Sequence, residues 1–147
     1  MGAMSDYLEN KLIDHVFRGV SYTAPTGLYV ALFTAAPSDS GGGTEVSGGS
    51  YARVNLAPST ANWASTGGAT TTTNPSAGTS GTTSNNSAIT FAAPTANWGV
   101  ITSVGVFDAS TSGNLLFYTN LTTSKTVNNG DAAPSFATSQ LTFTIDS

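Results

Sequence analysis

The sequence predicts an all-β protein, a small antiparallel β-sandwich or barrel-like domain with one N-terminal amphipathic helix. Apolar residues recur at helical spacing only ahead of Gly19. From Leu28 onward they fall into about seven short extended segments. Between those segments lie clusters of Gly, Ser and Asn, the residues that close turns. A chain of 147 residues suits one hydrophobic core rather than two. Residues 5–147 are therefore expected to form a single domain, with a helix over 5–19 and a β-rich body over 26–147.

The helix rests on Leu8, Leu12 and Val16, four residues apart, with Ile13 and Phe17 widening the stripe. Ser5 or Asp6 can accept from the free amides of the first turn, Arg18 suits the last turn, and Gly19 stops it. The stripe must be covered, either by the β-body or by a neighbouring molecule. Local packing is expected for most of it, leaving Asp14, His15 and Arg18 outward as assembly contacts. Residues 1–4 are expected to be a flexible start, with Met1, Gly2 and Ala3 reading as a cloning scar before Met4.

Residues 28–33 are apolar on both faces, as in a central strand covered on two sides. Residues 38–50 hold two glycine clusters and read as a surface loop. Residues 51–56 read as a half-buried strand with Ala52, Val54 and Leu56 inward. Residues 64–87 are long and polar, and a ragged edge strand or hairpin is expected there, favoured by Thr70 to Thr73. Strands follow at 88–91, 101–107 and 115–120, the last two joined by a hairpin in which Asp108 accepts backbone hydrogens and Gly113 supplies the special dihedral. Residues 140–146 close the chain with Leu141, Phe143 and Ile145 on one side. The alternation nominates Val30, Leu32, Val54, Phe91, Val104, Val106, Phe117, Leu141 and Phe143 for the core.

One short motif occurs twice, Ala57-Pro58-Ser59-Thr60-Ala61-Asn62-Trp63 and Ala93-Pro94-Thr95-Ala96-Asn97-Trp98. Proline fixes φ, asparagine closes a turn and tryptophan returns an apolar face to the core. Two core tryptophans are the simpler reading. The functional alternative is a glycan-stacking platform of Tyr51, Trp63 and Trp98.

Charged residues number only 4 Lys+Arg and 8 Asp+Glu, for a formal net charge of −4. The cations Lys11, Arg18, Arg53 and Lys125 form no basic stripe, so nucleic acid is not an expected partner. With no cysteine, thiolate chemistry and sulfur-ligated metals are excluded. No apolar run reaches the roughly 18 residues that a membrane span needs. His15, the single histidine, sits beside Asp14 on the helix without a partner for acid–base work. Neither a Gly-x-Ser-x-Gly elbow nor a lysine after Gly41-Gly42-Gly43-Thr44 is present. The 108–114 loop lacks the closing glutamate of an EF-hand. No catalytic residue, cofactor or metal site is expected; a glycan hydrolase would need two carboxylates converging from distant strands.

The run Leu28-Tyr29-Val30-Ala31-Leu32-Phe33-Thr34-Ala35-Ala36-Pro37, followed by Gly43-Thr44-Glu45-Val46-Ser47-Gly48-Gly49-Ser50-Tyr51-Ala52-Arg53, resembles a family encoded by tailed bacteriophages, the tail-fibre or minor virion structural proteins. Trp98-Gly99-Val100-Ile101, Val106-Phe107-Asp108, Gly113-Asn114-Leu115-Leu116 and Lys125-Thr126-Val127 are similar to the rest of that pattern. The resemblance implies a non-catalytic structural protein made in the bacterial host cytoplasm and carried in the virion. It also implies self-association, with a homotrimer as the expected form, and contact with other virion structural proteins. A host surface glycan is the partner in the alternative reading, that of a carbohydrate or host-receptor binding module. Glu45 and Arg53, opposite in charge across the turn between Val46 and Tyr51, are expected to pin that loop.

Overall fold

The computed structural model describes residues 3–65, 76 and 80–145. In chain order the elements are β1 (Ala3–Met4), α1 (Asp6–Phe17), β2 (Tyr29–Ala35), β3 (Thr44–Glu45), β4 (Val54–Asn55), β5 (Thr82–Ser84), β6 (Ile89–Thr90), β7 (Gly99–Phe107), β8 (Leu115–Val127), β9 (Ser135–Phe136) and β10 (Thr142–Thr144). A six-stranded sheet runs β1-β8-β7-β2-β3, with β4 also paired to β2. Two short sheets, β5 with β10 and β6 with β9, complete the sandwich. All the strand pairings are antiparallel.

The core lies between the large sheet and the short ones. Val30 and Leu32 of β2 and Val104 and Val106 of β7 alternate onto one face, where Ile89, Phe91, Leu141 and Phe143 meet them. Of the nine nominated core residues seven are buried; Val54 and Phe117 are half-buried and pack against the same cluster. Ala31 and Phe33, on the other face of β2, are buried too, and Phe33 stacks on Phe107 at 6.2 Å. The doubly apolar strand is therefore covered on both sides.

Several expectations are corrected. Ala3 and Met4, expected to be a flexible start, pair with Tyr118 and Phe117 at the sheet edge. The helix spans Asp6–Phe17, bounded by Ser5 as N-cap and Arg18 as C-cap. Ser5 is buried, and its hydroxyl accepts from the Leu8 amide while donating to the Leu115 carbonyl, so one side chain caps the helix and ties it to β8. The 38–50 loop contains β3, and its Val46 is buried in the core cluster, with the Val46 amide donating to the Leu32 carbonyl. At 51–56 the inward pattern is shifted. Ala52 is exposed and Val54 half-buried, whereas Arg53 turns inward to an ion pair that holds its side chain to 8% exposure.

Within 64–87, β5 is the edge strand, and it pairs with β10; Thr70 to Thr73 lie outside the described residues. Ile145 follows the alternation of Leu141 and Phe143 but stands beyond the end of β10, exposed.

β8 is longer than the 115–120 segment and carries two irregularities. Val106 faces Phe117 and Phe107 faces Leu115, which leaves Leu116 as a bulge. Further along, Ser103 faces Asn120 and Ile101 faces Lys125; Thr102 alone stands on β7 against residues 121–124 of β8. The hairpin between β7 and β8 closes as its residues predict. Asp108 accepts from the Asn114 backbone amide and from its side-chain amide, each at 2.7 Å, while Gly113 adopts φ 75°.

Candidate interaction surface

Arg53 holds the most connected polar site. Its Nε and Nη2 donate to the two Glu45 carboxylate oxygens at 2.9 and 2.7 Å, a bidentate pair. Its Nη1 donates to the carbonyls of Ala109 and Ser112, and the guanidinium lies 3.6 Å from the Phe107 ring centroid. The expected pin across the 46–51 turn thus also clamps the β7–β8 hairpin. Tyr51 joins it by donating to Glu45 Oε1 at 3.0 Å and accepting from the Leu32 amide at 2.9 Å. Leu32 lies in the gap between the stretches of β2 paired with β3 and β4, so the tyrosine hydroxyl satisfies a donor that the ladder leaves over. Burial pushes the Tyr51 phenol well above its ordinary value, helped by the Glu45 charge and opposed by the Leu32 amide and Arg53. Every donor and acceptor here serves the fold, and none is aimed at a ligand.

The three aromatic residues of the glycan alternative do not form one platform. Trp98 is buried, its Nε1 donating to the Gly49 carbonyl at 2.9 Å. That approach is close enough that a Cβ on Gly49, itself at φ 57°, would stand 2.9 Å from Trp98 Nε1. Tyr51 meets Trp98 edge-on at 5.3 Å and lies parallel to Phe91 at 6.1 Å. Trp63 is half-buried against the core, donates to the Leu56 carbonyl and borders Phe143. The two repeated corners differ in detail. Asn62 closes its own turn onto the Ala57 carbonyl, whereas Asn97 accepts from the distant Asn129 amide.

The helix face is the main departure from expectation. Leu8 is buried and Leu12 half-buried, but Ile13, Val16 and Phe17 are 50, 65 and 81% exposed. Val20, just past the helix, is 52% exposed as well. Local packing therefore covers only the first half of the stripe. Ser5 fixes the helix N-terminus to β8, and the covered side chains, Leu8 and Leu12, are those nearer that anchor. Around the patch, Asp14 and Arg18 form an exposed ion pair at 3.0 Å, and His15 Nδ1 accepts from the Tyr22 amide at 3.1 Å. The sequence placed these three residues outward; it did not show that the apolar side chains beside them would be outward as well.

Near the anchored end, Tyr118 donates to Asp39 in a short hydrogen bond. That bond, more than burial or the nearby Asp39, Asp6 and Glu9 charges, pushes the Tyr118 phenol up to about 12. Among the described residues no three His, Asp or Glu side chains come together as a metal site, and no helix is long and apolar enough to cross a membrane.

A family model described as podophage GP4 fiber I protein gp80 matches residues 3–144. The chain belongs to this family. It is a structural, non-catalytic protein of a bacteriophage virion, a tail-fibre-type component, as the resemblance to tailed-phage proteins implies. No curated protein matches the chain. Among the described residues the second half of α1 and the residues just past it hold four of the six exposed large hydrophobic side chains, Ile13, Val16, Phe17 and Val20.

Proposed function

We propose that the chain is an assembly unit of a phage appendage, made in the bacterial host cytoplasm, that joins its neighbours through the exposed face of α1. The observation that carries this is that Ile13, Val16, Phe17 and Val20, close together in sequence, are four of the six large hydrophobic side chains left exposed among the described residues. A free monomer gains nothing from exposing them, and such patches on soluble proteins mark contact sites. Asp14, His15 and Arg18 border the patch and supply the polar rim that interfaces carry around an apolar centre. A polar body poor in charge agrees with this role, because hydroxyl and amide surfaces meet without desolvating ions. The homotrimer expected from the resemblance is the assembly we favour. Contact with a host glycan has less support, since Tyr51, Trp63 and Trp98 are engaged by the core.

The test replaces Ile13, Val16 and Phe17 together by Ser. Light scattering coupled to gel filtration should show the native chain at a multiple of its 14.8 kDa mass and the variant at that mass. The melting temperature of the variant should match that of unassembled native protein. A variant that assembles like the native chain, or a native chain that stays monomeric, would refute the reading.

A further inference from the structure

The second of the two repeated corners is tied to a neighbour in space. Pro94 and Trp98 are buried at its two ends, and three hydrogen bonds join it to the stretch that ends β8. The Trp98 amide donates to the Val127 carbonyl at 2.9 Å, the Asn129 amide donates to Asn97 Oδ1 at 2.8 Å, and the Gly130 amide donates to the Pro94 carbonyl at 3.0 Å. The turn at 128–131 also closes on itself, the Asn128 amide donating to Asp131 Oδ2 and the Asp131 amide to the Asn128 carbonyl. In the first corner Asn62 donates its side-chain amide to its own Ala57 carbonyl instead.

What the second corner holds is the one Asn-Gly step of the sequence, Asn129-Gly130. Asparagine is chemically labile, and most so before glycine, whose missing Cβ lets its nitrogen reach the preceding side chain. Both residues are exposed, so water reaches the step. The reaction begins when hydroxide takes the proton of the Gly130 nitrogen. That nitrogen attacks Asn129 Cγ; the N–Cγ bond forms, the Cγ–Nδ2 bond breaks, and Nδ2 leaves as ammonia after taking a proton from water. Water then opens the succinimide at one carbonyl or the other, giving aspartate or isoaspartate at position 129.

We propose that Asn129 is a covalent modification site whose deamidation the 94–97 corner holds back in the folded chain. The N–H that must lose its proton is bonded to the Pro94 carbonyl, which favours the protonated form. The bond from Asn129 to Asn97 holds the backbone on the other side of the reacting residue, so the rotation that brings Cγ to the nitrogen requires both bonds to open. The consequence of reaction is structural. Aspartate takes the formal charge from −4 to −5 and sets a second carboxylate beside Asp131. Isoaspartate lengthens the main chain by a methylene between β8 and the segment leading to β9, which breaks the register of the bonds to the corner. A virion protein is not resynthesised after the particle leaves its host, so this guard limits how fast the turn ages. The inference is independent of the assembly role of α1.

The test incubates the native chain in warm, mildly alkaline buffer with and without unfolding urea. Trypsin cuts after Lys125 and releases residues 126–147 as one peptide, in which mass spectrometry locates the change and chromatography resolves the isoaspartyl form. Asn129 should convert at least roughly tenfold more slowly in the folded chain than in urea, since two hydrogen bonds must open first. In urea it should convert ahead of Asn128, which has no glycine after it. Asn97→Ala, folded as shown by a cooperative melt, should convert Asn129 about fivefold faster than the native chain, the effect of one hydrogen bond. Asn97→Asp keeps an acceptor and should keep the native rate. Equal rates in the folded and unfolded chain would overturn the proposal, and they decide it even where Asn97→Ala fails to fold. A folded Asn97→Ala that converts at the native rate, or Asn97→Asp that converts as fast as Asn97→Ala, would show that the corner is not the guard.

Discussion

The two ends of the Glu45–Arg53 segment and the two ends of α1 use polar and apolar groups in opposite ways. Around Arg53 every strong group is consumed: two bonds to Glu45, two to hairpin carbonyls, one aromatic face, and a tyrosine hydroxyl that completes β2. Along the second half of α1 the apolar side chains of Ile13, Val16 and Phe17 are left 50, 65 and 81% exposed. The first region is explained by folding; the second is where the proposed assembly contact lies. A protein of marginal stability gains from burying a phenylalanine, and Phe17, 81% exposed beside Val16, is the side chain that the proposed assembly would bury.

Substitutions should divide along the same line. Phe143→Ala, in a buried ring cluster with Trp63 and Phe117, should cost about 3–5 kcal/mol in urea unfolding through lost transfer energy and a cavity. A loss under about 1 kcal/mol would remove Phe143 from the core. Arg53→Ala should cost about 2–4 kcal/mol, since it strips four charge-assisted bonds and leaves Glu45 and two carbonyls without that partner. Thermal melts should show this cost falling little in high salt, because the Arg53 side chain is only 8% exposed.

Ser5→Ala should cost about 1–2 kcal/mol, a cap being lost together with the link to β8. Amide exchange over residues 6–12 should rise more than over the sheet.

Alkaline titration should sharpen the contrast further. Tyr118 has its folded pKa raised to about 12 from 10.0, so the stabilisation is complete below pH 10 and is lost as pH climbs from about 10 to about 12. The unfolded chain ionises first and is favoured. Stability measured across that window should fall, and Tyr118→Phe should make the fall shallower. An unchanged slope would show that the Tyr118–Asp39 bond does not distinguish the folded state. Smallest of all should be the effect of Ile13→Ser, Val16→Ser and Phe17→Ser on monomer stability, within about 0.5 kcal/mol by urea unfolding, as for exposed positions generally.

What could be read from the residues follows from how local each signal is. The turn at Asp108 and Gly113, the doubly apolar β2 and the alternation of Leu141 with Phe143 are set by neighbours in sequence, and they stand as expected. The Glu45–Arg53 pair was visible as opposite charges across a glycine turn, but the second role of Arg53 on the hairpin depends on a contact 56 residues away. Tyr51 looks like a stacking candidate in the sequence because nothing local shows that the Leu32 amide of β2 takes the tyrosine hydroxyl as its partner. The helix stripe gave its period correctly and its cover incorrectly. Periodicity reports which side chains share a face, while Ser5 bonding to Leu115 decides where that face points. The surplus in β8 had no sequence signal, since Leu121 to Ser124 read as ordinary strand residues until set against Thr102.

The most direct test of the account is hydroxyl-radical footprinting of native protein, comparing the monomeric and assembled fractions. Phe17 should be oxidised readily in the monomer and strongly protected in the assembly, while Ile145, exposed at the far end of the chain, should label alike in both. Equal oxidation of Phe17 in the two fractions would contradict an assembly role for the helix face.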